Sequence, residues 1–289
     1  MSRQRVVQAT LLASALAVAC ERAAPPRGET GVETTRAPVL APTATGTWAP
    51  ELGQVLVVPT DSENTAAVVY PAELSARMVT AAPMTLVNAA GDTTSVQVAA
   101  VDSQQCGDAP VVRLAGSDTA SWSVGLLGRS GALLRMDSIE ALPTADSARL
   151  AVELVRMASA LKTERESRFS GLPFAVIGAH LFQAAGRRVV VAHLARRVNI
   201  EASPLEERTL IIAERPSNAA ADEPYSLAYS RRSEGTEDTA EHFDVLAAVQ
   251  GQQSVLLLLA RDQQALTDYE VLERANGQWR SRWSRKLAC

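Results

Sequence analysis

The chain has 289 residues, a net charge of −4, and 47% hydrophobic and 21% charged residues. That apolar share supports a sizeable core, in one large domain or two of ordinary size. The slightly acidic balance excludes the broad basic footprint of a nucleic-acid-binding surface, and four residues each of Trp, Tyr and Phe leave few platforms for stacked bases.

The chain opens with Arg3 and Arg5, continues from Val6 to Ala19 without a charge, and reaches Cys20. A positive start followed by an apolar run too short to span a bilayer comfortably is the layout of a secretory signal. The residues Leu16-Ala17-Val18-Ala19-Cys20 resemble the lipobox of bacterial lipoproteins, with Ala17 where that family prefers leucine. The resemblance implies a signal peptide of residues 1–19, cleavage before Cys20, and a diacylglycerol on the Cys20 sulfur as the link to the membrane. It also implies a cell-envelope location with the body in the periplasm or outside the cell. Glu21 is not the aspartate that marks inner-membrane retention, which favours the outer membrane. The resemblance covers only the first 21 residues and implies nothing about activity.

Residues 20–47 carry Pro25, Pro26, Pro38 and Pro42 among Ala, Thr, Gly and Glu. Too little apolar surface is available there to offset ordering entropy, so the stretch reads as a lipidated, disordered tether. From Trp48 the pattern changes to short Val- and Leu-rich runs. Val55–Val58 and Ala66–Tyr70 form one expected hairpin, and Met84–Val87 with Ser95–Val101 another, turning at Ala90-Gly91-Asp92. With Val111–Leu114, Trp122–Leu127 and Ala132–Met136, they predict a β-rich domain over 48–142.

The next segment, 143–170, holds an amphipathic helix and a connector. Leu150, Leu154, Met157 and Leu161 recur at helical spacing, with Arg149, Glu153 and Arg156 on the opposite side. Thr144 is the expected cap. Eight strands follow in 171–289: Phe174–Gln183, Arg188–Ile200, Thr209–Arg215, Tyr225–Arg232, Phe243–Gln250, Ser254–Arg261, Asp268–Arg274 and Gln278–Ser284. Turn residues fall at Ala185-Gly186, Pro216-Ser-Asn218, Gln250-Gly251 and Asn276-Gly277. The fold class is therefore mainly β with one prominent helix, in two antiparallel halves. The second half is a meander, closed as a barrel or folded as a sandwich. The Asn276-Gly277 turn places Trp279, Ser281 and Trp283 on one face and leaves Arg280 and Arg282 in solvent.

Chemistry is sparse. Gly125-Leu-Leu-Gly128 lacks the lysine and following helix of a phosphate cradle, and Ser130 sits in a turn rather than a nucleophile elbow. Glu234, Glu237, Asp238 and Glu241 read as a solvated loop. If Gly186-Arg187 form the turn, His180 and His193 oppose each other and are weak candidates for a shared metal, with His242 a third ligand from elsewhere. The pairing is lost if the turn moves by one residue, and a half-buried cross-strand pair of rings is the plainer reading. Cys106 and Cys289 remain once Cys20 is lipidated, and an oxidising compartment makes them disulfide candidates. No catalytic set and no cofactor is indicated. These features predict a lipid-anchored envelope protein that binds a partner or has a structural role. The alternatives are a hydrolase with no recognisable motif, and a carrier whose apolar ligand lies against Ser254–Ala260.

Overall fold

The structure is a computed structural model that describes residues 54–57, 65–68, 81, 83–88, 91–106, 109–115, 121–127, 132–161, 168–199, 204–251, 253–263 and 266–287. The signal, Cys20, the tether and Cys289 lie outside the described residues, as does the side chain of Cys106. The chain is mainly β, and its sheets are antiparallel throughout.

The first six strands are β1 (Gln54–Val57), β2 (Thr65–Val68), β3 (Pro83–Val87), β4 (Thr93–Cys106), β5 (Ala109–Ala115) and β6 (Val124–Leu127). They close into a barrel in the order β1-β2-β5-β4-β3-β6. Its interior is filled by Ala66, Met84, Leu86, Val96, Val98, Val112, Leu114 and Leu127. Gly125 makes that filling possible, since a Cβ there would overlap the Met84 sulfur.

Two short strands, β7 (Ala132–Leu134) and β8 (Asp137–Ser138), precede a 3₁₀ turn and helix α1 (Thr144–Ala160). The eight expected strands of the second half all form: β9 (Ala175–Ala184), β10 (Arg187–Val198), β11 (Leu205–Pro216), β12 (Ser226–Thr236), β13 (His242–Gln250), β14 (Val255–Gln263), β15 (Leu266–Ala275) and β16 (Gln278–Leu287). They make a sandwich rather than a barrel. One sheet runs β12-β11-β10-β9-β8, the other β16-β15-β14-β13-β7, so strands from both sides of the helix complete it.

Four layers stack in sequence. The outer wall of the barrel (Ala67, Val87, Val124, Leu126) packs on Ala247, Val249, Leu256, Leu258, Val271 and Trp283 of the β13–β16 sheet. The other face of that sheet, with Val245, Leu257, Leu259, Leu272 and Trp279, meets Phe182, Val189, Val191, Leu210 and Ile212 of the β9–β12 sheet. The far face of the latter carries Val190, Ala192, Leu194, Ile211 and Ala213 under Leu150, Leu154 and Ala158 of α1. Strands β10, β11 and β14 are thus covered on both faces along Val189–Leu194, Leu210–Ala213 and Val255–Ala260, which is why those stretches are almost entirely apolar.

Several local expectations are corrected. Helix α1 begins at Thr144, and Pro143 occupies the N-cap without a side-chain hydrogen bond, so Thr144 does not cap. Glu153, read as part of the polar side of the helix, turns inward: its Oε1 accepts the Tyr225 N–H at 2.5 Å, tying the helix to the sheet. The Asn276-Gly277 turn forms with both φ positive, at 52° and 79°, and sets Glu273 opposite Arg280 and Arg274 opposite Trp279. A bulge then makes Arg282 the extra residue, since Leu272 opposes Ser281 and Val271 opposes Trp283. One inserted residue reverses the alternation. Trp279 and Trp283 consequently sit on opposite faces of the sheet, in different cores, and Ser281 is exposed. Arg282 is not in open water either: its Nη1 donates to Glu273 Oε1 at 3.1 Å, and its side chain is 19% exposed.

Candidate functional site

The histidines gather, but not as the sequence paired them. The β9–β10 turn consists of Ala185 (φ 48°) and Gly186 (φ 70°), so Ala184 pairs with Arg187. That one-residue move sets His180 opposite Val191 and His193 opposite Gly178. Both still point between the two sheets, where β13 brings His242. The His193 and His242 rings meet edge to face at 4.9 Å, and Phe243 closes on His193 at 5.4 Å. Arg208 donates to His242 Nδ1, and His242 Nε2 lies 3.5 Å from Asp244.

Burial holds the His193 imidazole down at about 3, with His242 and Arg208 pushing the same way and Glu206 opposing. Burial likewise lowers His180, against Asp244 and Glu140. His193 Nε2 and His180 Nδ1 are buried without a hydrogen-bond partner among the described residues. Among those residues no three His, Cys, Asp or Glu side chains are arranged to hold a metal ion.

Buried charge elsewhere is closely paired. Arg261 (2% exposed) approaches Glu241, Asp268 and Glu270, while Arg231 holds Glu241 bidentately at 3.0 Å and reaches Glu270 at 3.2 Å. Glu207, fully buried, lies between Arg196 at 2.8 Å and Arg232 at 3.1 Å. Glu214 accepts from Arg274 at 2.5 and 2.9 Å and from the Trp279 indole N–H at 2.6 Å. Glu241 therefore belongs to this network rather than to a solvated loop, and Glu237 lies 3.5 Å from Arg197.

The exception is a cleft of about 520 Å³ beside α1. Its floor is built by register. Arg188 of β10 lies directly opposite Arg215 of β11, with Gln183 of β9 opposite Arg188 on the other side. Alternation puts both arginines on the face that α1 covers, in line with Val190 and Ala213 but just past the helix. Arg215 donates from Nη1 to the carbonyls of Ala221 at 3.0 Å and Glu223 at 2.9 Å, and its guanidinium stacks on Tyr225 at 4.5 Å. Neither arginine forms an ion pair among the described residues, and the buried Nε of each meets no acceptor there. Leu142, Leu150, Leu181 and Tyr225 supply the apolar walls. At the rim, Arg135 pairs with Asp137 at 3.1 Å and Arg149 with Asp146 at 2.8 Å. Two directly opposed like charges destabilise an antiparallel pair. A fold that gives Arg196, Arg231, Arg261 and Arg274 carboxylate partners and these two none has the features of a binding cleft: pocket-sized, partly apolar, with a few convergent polar groups.

Sequence reading missed this site. Its one legible sign is Arg188 standing on the face of β10 that carries Val190, Ala192 and Leu194. No known protein family, curated protein or solved structure matches the chain.

Proposed function

We propose that the chain is a lipid-anchored cell-envelope protein, tethered through Cys20, whose β-rich body is a non-catalytic binding module with the cleft beside α1 as its ligand site. The lipobox-like Leu16–Cys20 segment supports the anchor. The observation that carries the binding reading is the opposed Arg188–Arg215 pair, left without a carboxylate at the floor of a 520 Å³ cleft. The carrier alternative loses its motive, because Val255–Ala260 is buried on both faces by the neighbouring layers.

Two measurements test the proposal. Cys20→Ser should abolish metabolic lipid labelling and leave a precursor that retains its signal; unchanged labelling removes the anchor. Saturating octanol, octanoate or octylamine should slow hydrogen exchange in 144–154 and 221–225. Exchange unaltered by all three removes the binding reading.

A further inference from the structure

We infer that Arg188 and Arg215 are the recognition floor for an oxyanion, carboxylate or phosphate, carried on an apolar body. This deepens the binding-module reading and rests on it. The two side chains are cross-strand neighbours, a spacing of about 5 Å between Cβ atoms that lets one oxyanion reach both guanidinium groups. Guanidinium forks match carboxylate and phosphate oxygens, and both arginines line the cleft with no carboxylate paired to them among the described residues.

The cleft's charge is layered. Its rim pairs are exposed, as are Asp222 and Glu223, so water and salt screen them. At depth the balance is two arginines against Glu153, whose Oε1 is engaged by the Tyr225 N–H. Charge at depth is less screened and dominates recognition. The floor therefore favours an anion, while Leu142, Leu150, Leu181 and the Tyr225 ring favour an apolar remainder. Arg215 is 8% exposed, and its stacking on Tyr225 fixes the fork, so little ordering is left to be done on binding.

The test uses the full chain in lipid nanodiscs, with empty nanodiscs subtracted, and equilibrium dialysis of octanoate, octyl phosphate and octanol. At least one of the two anions should bind at least tenfold more tightly than octanol, and the stronger of them identifies the head group as carboxylate or phosphate. Arg188→Gln, at a half-buried position that leaves Arg215 in place, should remove most of that margin. Arg280→Gln, 70% exposed on β16 and not among the residues lining the cleft, should preserve it. Equal binding of octanol and both anions, or an Arg188→Gln variant that keeps the full margin, overturns the oxyanion assignment while the cleft remains a binding site. Failure of all three compounds to bind overturns both.

Discussion

Trp279 shows how one side chain can serve two purposes. Its ring is buried between the sheets, and its indole N–H satisfies a Glu214 carboxylate that also holds Arg274. Trp279→Ala removes the ring and one of the carboxylate's donors together, so destabilisation of about 3–5 kcal/mol is expected in denaturant melts. Trp279→Phe keeps most of the burial and should cost about 1–3 kcal/mol, chiefly the lost hydrogen bond. His193 imposes a pH dependence of definite sign. In the unfolded chain the imidazole titrates near 6.5, whereas in the fold it stays neutral down to about 3. Between those values the unfolded state binds the extra proton, so stability is full above about pH 6.5 and falls as the pH drops through the window. Each pH unit there is worth about 1.4 kcal/mol, and acidification from 6.5 to 4.5 should remove up to about 3 kcal/mol. His193→Leu should flatten that slope. A wild-type melt equally stable at pH 4.5 and 6.5 would contradict the burial argument.

At the scale of elements, what could be read from sequence was local. The eight strands of the second half and the Asn276-Gly277 hairpin were legible because run length, turn chemistry and backbone sign are written within a few neighbouring residues. Three things were not. The bulge at Arg282 depends on the two cores that β16 must serve at once, which no alternation pattern announces. Nothing in the sequence around Glu206, Glu207 and Glu214 marks them as buried, because the partners Arg197, Arg196, Arg232 and Arg274 come from other strands. The facing of Arg188 and Arg215 depends on the register of β10 against β11, set across a connection whose length gives no hint of it. The β9–β10 turn was ambiguous for a reason that can be measured. Ala185 adopts φ 48°, a conformation that asparagine tolerates better than alanine. Ala185→Asn is therefore expected to stabilise the protein by about 0.5–1 kcal/mol in a thermal or denaturant melt. Unchanged or lower stability would count against the left-handed geometry there.

At the scale of the whole molecule, the β13–β16 sheet is a shared wall. Leu257 faces the sandwich interior and Leu258 the barrel, each almost fully buried. Leu257→Ala and Leu258→Ala should each cost about 2–5 kcal/mol. The adjacent leucines contribute to separate cores, so the double variant should equal the combined single effects within about 0.5 kcal/mol. A large coupling energy would mean that the two cores are not independent. The layered plan also accounts for the cleft, since α1 covers the middle of the outer face and leaves the ends of β10 and β11 to line an opening.

The burial of β14 from both sides constrains how this protein can drift through sequence space. An ordinary antiparallel strand tolerates change at every second residue, on its wet side. Along Val255–Ala260 every position is buried, so no such reserve exists. In a saturation-mutagenesis map that stretch should appear as an unbroken block of intolerance to polar residues. The ordinary two-residue rhythm should also be missing from β12, whose residues are exposed or half-buried throughout: the map there should be permissive except at Arg231 and Arg232, which hold the buried Glu270 and Glu207. Selection would therefore act along the whole of the plainest part of the sequence, the run of leucines, and on the more varied outer strand only at the two arginines that neutralise buried carboxylates.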